Sequence, residues 1–578
     1  MRRLAVMMAG AAIALTAGMA PSYAVARAKP AVSPATTVWN RFMASYIEQS
    51  FRADPGFAVA QGRHQFDGQI RDLSPAAIGA QVAYLKRAIA TASAFKDASL
   101  TPNERFERDY LIANARGSLF WIDPKGADQL RHNPASYLGA LDPAVYVTVP
   151  YASKRIRMRA YTRFLTNVPR ALAQMRANIR QPMATSFVDY SKSAFGGFVS
   201  YLPGDGLAAW TGVGSAAEQA ALRAATANAT AAMKQTAAWA EAQRGASRPD
   251  FQLGAAKFRR MLADTEMVTT PIAELEAIGH ADLAANQSLL REACGRYAPG
   301  ATVPACMDKM NANKPQGGAV QAARIQLKGL RQFIVDHDIV TIPGTEEAKV
   351  EEAPAYQRQN FAYINIPGPY EKGLPSVYYI APPDPSWSKE VRDGFVPGQA
   401  DLLFTSVHEV WPGHFLNFLH SNRSPFLFGR VFVGYAFAEG WAHYSEEMMR
   451  VSGVGGGTDE TMIGQLSNAL LRDCRYLSAI GMHTGSMSQA QSQAMFREQC
   501  YQDEGSAKQQ AARGTYDPAY LNYTMGKLMI RKLRDDWAAS RGGQKAWKAY
   551  HDQFLSYGGP PIPLVRQQMM GGAAKAVF

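Results

Sequence analysis

Residues 408–414, His-Glu-Val-Trp-Pro-Gly-His, set a carboxylate directly after one imidazole and a second imidazole six positions on. Two histidines four apart on one helical face, with a glutamate beside the first, form the signature of many zinc peptidases. Six apart on an unbroken helix, the rings would point about 120° away from each other. Pro412 and Gly413 stand between them. Proline removes a backbone donor and clashes with the preceding turn, while glycine tolerates unusual angles. A break at this pair can swing His414 back beside His408. The competing reading is that Pro-Gly ends one helix and leaves two unrelated histidines.

Catalytic zinc is held by three protein side chains, with a fourth position open to water. The third candidate is Glu439, 25 residues after His414, a separation suited to an antiparallel returning helix. His443 follows one turn later as an alternative ligand or as a partner for a ligating group. Five of the ten histidines, His408, His414, His420, His443 and His483, fall in this part of the chain. With one zinc ion on His408, His414 and Glu439, Glu409 is the natural general base, taking a proton from water and passing it to a leaving amine. The developing oxyanion needs a further donor. Tyr523 and His483 are the candidates, Tyr523 ahead because Gly526 lets another group approach closely. Arg475 or Arg472 would hold a substrate carboxylate, and ordinary surface exposure is the alternative for both. Other metals also accept such ligands, so zinc rests on the motif rather than on the ligand types alone.

These residues need elements to carry them. From about Thr36 to Lys349 the chain is rich in Ala, Leu, Arg and Gln at helical spacing, and residues 216–244 predict one or two long helices. Residues 360–367 and 376–383 are aromatic and β-branched, bounded by Gly and Pro, and predict two strands. An extended substrate can add to a sheet edge, which makes Tyr378 and Tyr379 candidate substrate contacts. Helical periodicity returns around His408, over 464–483, and after Asp517-Pro518, read as an N-cap and first turn. The expected fold class is mainly α with a small β-sheet (α+β).

The first 24 residues have Arg2 and Arg3, an apolar run and small residues ending at Ala24, the pattern of a cleavable secretory signal. The run is short for a permanent span, and no later segment predicts a transmembrane anchor. A soluble periplasmic or secreted protein follows. The chain has 61 Lys and Arg against 48 Asp and Glu, but the charge is diffuse, so no nucleic-acid partner is expected. In an oxidising compartment, sequence order pairs Cys294 with Cys306 and Cys474 with Cys500; four buried thiols are the alternative.

The chain resembles the bacterial domain-of-unknown-function family 885, grouped with the glutamate-zinc peptidases. The family's HExxPGHH-like motif stands here as HEVWPGHF, and its EGWA box as Glu439-Gly440-Trp441-Ala442. Gly481-Met482-His483 and Tyr523-Thr524-Met525-Gly526 are similar to further family segments, as are residues 54–68 and 168–182. Phe415 departs from the usual second histidine, which favours His414 as the ligand, and Ala479 stands where an aspartate is usual. The resemblance implies a helix-rich zincin-like fold with two lobes around a deep cleft. Beyond the signal, residues 25–578 would form one large domain, with a helical lobe at 25–350 and a catalytic lobe at 351–578. The leading expectation is an exported zinc metallopeptidase cutting short peptides. The rivals are a zinc amidase acting on non-peptide amides and an inactive periplasmic binding or scaffold protein.

Overall fold

Helix caps and apolar spacing recur along most of the chain, and helices follow from them. The computed structural model describes residues 34–571 and 576–578, apart from 355–357, 359, 360, 384, 386 and 387. The signal expected at residues 1–24 lies outside the described residues. The alanine-rich segment is one helix, α1 (Ala216–Ala242), opened by a capping box between Ser215 and Glu218. Its buried stripe, Leu222, Ala225, Ala229, Met233, Thr236 and Ala240, repeats every three to four residues. Small side chains there let α1 lie close to the helix Lys154–Asn178.

Helices α2 (Ala255–Glu266) and α3 (Ile272–Tyr297) follow. Apolar residues gather into two main cores. One takes residues from Trp39 to Ala240 together with Phe426, Phe428, Val431 and Leu564. The other takes Phe120 and Ala127, then residues from Phe258 to Met569. Helices α2 and α3, assigned from sequence to the N-terminal lobe, therefore share their core with the site helices.

A small sheet precedes those helices. Strands β1 (Ala348–Glu352), β2 (Ala362–Asn365) and β3 (Ser376–Ile380) are ordered β1-β3-β2, with β3 parallel to β1 and antiparallel to β2. The two strands expected from sequence are β2 and β3. β1 carries Lys349, Glu351 and Glu352 outward and buries only Val350, so its charge hides its alternation.

The segment that carries the candidate site includes α4 (Gln399–Glu409), α5 (His414–Ser421), α6 (Tyr435–Val451), α7 (Asp459–Thr484), α8 (Glu504–Tyr516) and α9 (Asn522–Ala539). α9 begins after Leu521 rather than at Asp517. Asp517 is not an N-cap, because its carboxylate is taken by Arg513 at 3.0 Å and by the Tyr435 hydroxyl at 3.3 Å. Among the described residues no helix is long and apolar enough to cross a membrane.

Both disulfides pair as sequence order suggests, Cys294–Cys306 and Cys474–Cys500. The second closes a 26-residue separation and fixes α7 beside its arginines. Chain-entropy reasoning gives such a link about 3 kcal/mol. Replacing Cys474 and Cys500 together by serine is expected to lower the unfolding free energy by roughly that amount, measured by urea denaturation.

Candidate metal centre

Six residues replace four because the chain folds back on itself between α4 and α5. The Trp411–Pro412 peptide bond is cis. The Gly413 amide donates to the Val407 carbonyl at 2.9 Å, back over the last turn of α4. A Cβ on Gly413 would stand 1.9 Å from the His408 carbonyl oxygen, so no side chain fits there. The Pro412 carbonyl accepts from Trp441 Nε1 at 2.7 Å, which ties the turn to α6.

A second close approach sets α6 against α9. A Cβ on Gly440 would lie 2.5 Å from the Gly526 Cα, and one on Gly526 would lie 2.1 Å from the Ala436 carbonyl oxygen. The helices cross main chain to main chain, with Glu439 on one and Tyr523 on the other beside the contact.

His408, His414 and Glu439 converge as a result. One potential ligand atom of each lies within 4.8 Å of the other two. Glu439 Oε2 is 3.4 Å from His408 Nε2 and 3.3 Å from His414 Nε2. Donors bonded tetrahedrally at 2.0–2.1 Å stand roughly 3.3–3.4 Å apart, so the carboxylate–imidazole separations suit one ion. Neither approach has hydrogen-bond geometry, and Glu439 Oε2 is buried without a hydrogen-bond partner among the described residues. Side chains at ion-pair distance that do not point at one another are consistent with a shared target between them. The donor set, two nitrogens and one carboxylate oxygen, fits zinc. Burial opposes ionisation of Glu439, yet the imidazoles of His414 and His408 hold its carboxyl well below the usual range.

Behind His408 lies a buried brace. Its Nδ1 is 2.7 Å from Glu446 Oε1, and Arg472 spans the same carboxylate at 3.0 and 3.1 Å. His443 Nδ1 lies 3.4 Å from Glu446 Oε2, and burial pushes that imidazole down to about 4. His443 therefore stands as a neutral neighbour of the brace, outside the three-residue set. His414 Nδ1 is buried with no hydrogen-bond partner among the described residues.

Tyr523 is brought to the site: its ring lies 6.2 Å from that of His408. Burial, then the charge of Glu439, raises its phenol, so it keeps its proton to donate. Arg475, Arg472 and Arg513 stand over the ring at 4.9, 5.8 and 5.9 Å. Arg472 and Arg475 are both buried, not surface charges. Glu409 ends α4 half-buried, and no described side chain hydrogen-bonds or ion-pairs with it.

Other candidates sit elsewhere. His483 packs against Phe251 and Phe258 with Nε2 on the Gly514 carbonyl at 2.7 Å, and burial pushes it down to about 4. Those contacts make it a packing residue joining α7 to α8. Tyr378 is fully buried beneath α4, and Tyr379 stacks on Tyr363 at 5.2 Å. Their strand, β3, is hydrogen-bonded on both sides, so it offers no edge to a substrate; the free edges belong to β1 and β2.

The family described as bacterial protein of unknown function (DUF885) matches residues 55–569. The chain belongs to this family. Its structure is similar to that of a candidate lipoprotein of unknown function from Shewanella oneidensis, 24% identical, with a TM-score of 0.76 over 92% of this chain and 99% of the other. A candidate lipoprotein from Colwellia psychrerythraea is 15% identical, with a TM-score of 0.78 over 93% and 99%. At these identities the likeness speaks for the fold. No curated protein is similar enough in sequence to count as a match.

In this DUF885 chain, Glu446 is the residue that sequence reasoning missed. Glu439, His443 and Glu446 repeat at i, i+4 and i+7 along α6, a one-face stripe that points to a brace once Glu439 is taken as a ligand. Loss of such outer partners costs 10–100-fold in metal affinity. Glu446→Gln is expected to weaken zinc binding within that range, read by competition with a chromogenic chelator.

Glu266, at the end of α2, accepts from Asn522 Nδ2 at 3.0 Å beside the start of α9. Burial pushes its carboxyl up to about 8, against the Ala436 amide and Asn522. The folded protein therefore holds this proton where the unfolded chain has lost it, and stability falls as pH rises from the ordinary glutamate range to about 8. Glu266→Gln removes that dependence. Its melting temperature relative to wild type is expected to climb across this window and level off above it.

Proposed function

We propose that this protein is an exported zinc-dependent peptidase that hydrolyses short peptides. The observation that carries the reading is the convergence of His408 Nε2 and His414 Nε2 on Glu439 Oε2, with a carboxylate, Glu409, unpaired among the described residues, directly after the first histidine. His408, His414 and Glu439 would hold the ion. When bound, zinc would supply Lewis-acid polarisation of a carbonyl and bring the acidity of water near neutrality.

The protein's own groups do the remaining work. Glu409, without a competing partner among the described residues, takes the proton of the attacking water and returns it to the amide nitrogen as the C–N bond breaks. The protonated Tyr523 hydroxyl donates to the carbonyl oxygen as it gains charge. Glu446 and Arg472 hold the His408 ring in one orientation. On this proposal the site would belong to a zincin-like fold whose two lobes flank a cleft.

Export draws support from the N-terminal pattern of residues 1–24, two disulfides in a chain with no free cysteine among the described residues, and structural neighbours described as candidate lipoproteins. The test is a peptide-library digest by zinc-loaded wild type and Glu409→Gln. Wild type is expected to cut peptides. Loss of the base is expected to lower kcat by at least about 100-fold with zinc content unchanged. Zinc-loaded wild type that cuts no peptide in the library would overturn the reading.

A further inference from the structure

Arg475 is a buried cation that lacks an acid. It is 9% exposed, and its Nε donates to Gln510 Oε1 at 2.8 Å. Its two neighbouring guanidinium groups have carboxylates of their own: Arg472 has Glu446 at 3.0 Å and Arg513 has Asp517 at 3.0 Å. Among the described residues, no carboxylate forms an ion pair with Arg475. Burial, then the charges of Arg513 and Arg472, push its guanidinium down to about 10. A buried charge without a partner is costly, and three arginines around one tyrosine ring add repulsion. This arrangement suits a site whose missing anion arrives with the ligand.

The position of Arg475 says which anion. Its Cζ lies 4.9 Å from the centre of the Tyr523 ring, and the same ring lies 6.2 Å from the His408 imidazole. The width of one side chain separates the cation from the three-residue set. The Tyr523 distances put the Arg475 Cζ at most about 11 Å from the His408 ring; with a carboxylate and a scissile carbonyl each about 4 Å inside those groups, about 3 Å is left, the span of roughly one peptide residue. Deeper in the chain, the polymer would continue through the space that Arg475, Gln510 and Tyr523 fill.

We infer that Arg475 is the anchor for a free α-carboxylate on the leaving side of the substrate, so that the protein removes single C-terminal residues rather than cutting internally. This rests on the hydrolytic reading of the His408–His414–Glu439 site and adds the substrate class to it. Dipeptides and other acyl-amino acids with a free carboxylate share the required chemistry. The reaction balances as a hydrolysis: water adds across one amide, giving a shortened carboxylic acid and a free amino acid.

The experiment separates binding from turnover. A pool of N-acetyl dipeptides spanning the twenty C-terminal residues, each as free acid and as C-terminal amide, is equilibrated with zinc-loaded Glu409→Gln protein, and bound species are quantified by mass spectrometry after dialysis. The same measurement is made on this protein carrying Arg475→Met or Arg475→Lys. Free acids are expected to bind at least about 10-fold more tightly than their amides, the strength of a charge-assisted pair. Arg475→Met abolishes the preference and Arg475→Lys keeps part of it. Equal binding of acid and amide, binding of neither, or a preference that survives Arg475→Met each overturns the inference. A clear acid preference in a protein whose wild type cuts no peptide would instead overturn the hydrolase reading and leave the carboxylate subsite standing.

Discussion

A fully buried carboxylate, Glu446, sits where an imidazole and a guanidinium meet behind the site. Burying a charge pair costs desolvation that the attraction repays only when geometry is good. Here the acid meets His408 on one oxygen and Arg472 on both, and those contacts hold it well below the usual carboxylate range despite its burial. The return on that cost is orientation. With Nδ1 of His408 committed to Glu446, Nε2 is left toward Glu439, 3.4 Å away.

The brace also explains why so few elements suffice. α6 carries Glu439 in front and His443 and Glu446 behind on successive turns. α7 carries Arg472 for the brace and Arg475 one turn later beside Tyr523. The folded-back turn at Pro412-Gly413 brings α5 in, and its carbonyl is held by Trp441 of α6. The candidate ligands, their support and the proposed carboxylate anchor are therefore different faces of the same few helices, which keeps their relative positions rigid.

Residue chemistry at the site was legible in the sequence wherever it was local. The His-Glu pair, the break after it and the returning glutamate could be named from spacing, and the two disulfides from order. What failed to show depended on tertiary placement. Glu446 lies in a Ser-Glu-Glu-Met run that looks like any solvated helix face. Asp517 before Pro518 has the form of a helix start, but Arg513 and Tyr435 claim its carboxylate. Tyr378 and Tyr379 alternate as strand residues should, yet nothing in the alternation tells that theirs is the middle strand. His483 has the chemistry of a catalyst, and two phenylalanines make it part of the core instead. The division of the cores was hidden for the same reason: α2 and α3 read as more of the N-terminal helices until their packing partners are known.

The crossing at Gly440 and Gly526 carries one more implication. Two backbones in hard contact have no rotamers to adjust and almost no compressibility, so the spacing between these helices is set by atomic radii rather than by side-chain fit. Glu439 and Tyr523 hang from that fulcrum. Drift in the surrounding core, through mutation or warming, would tilt the pair together before it pulled them apart, and divergence could retune the rest of the pocket while this lever arm stayed fixed.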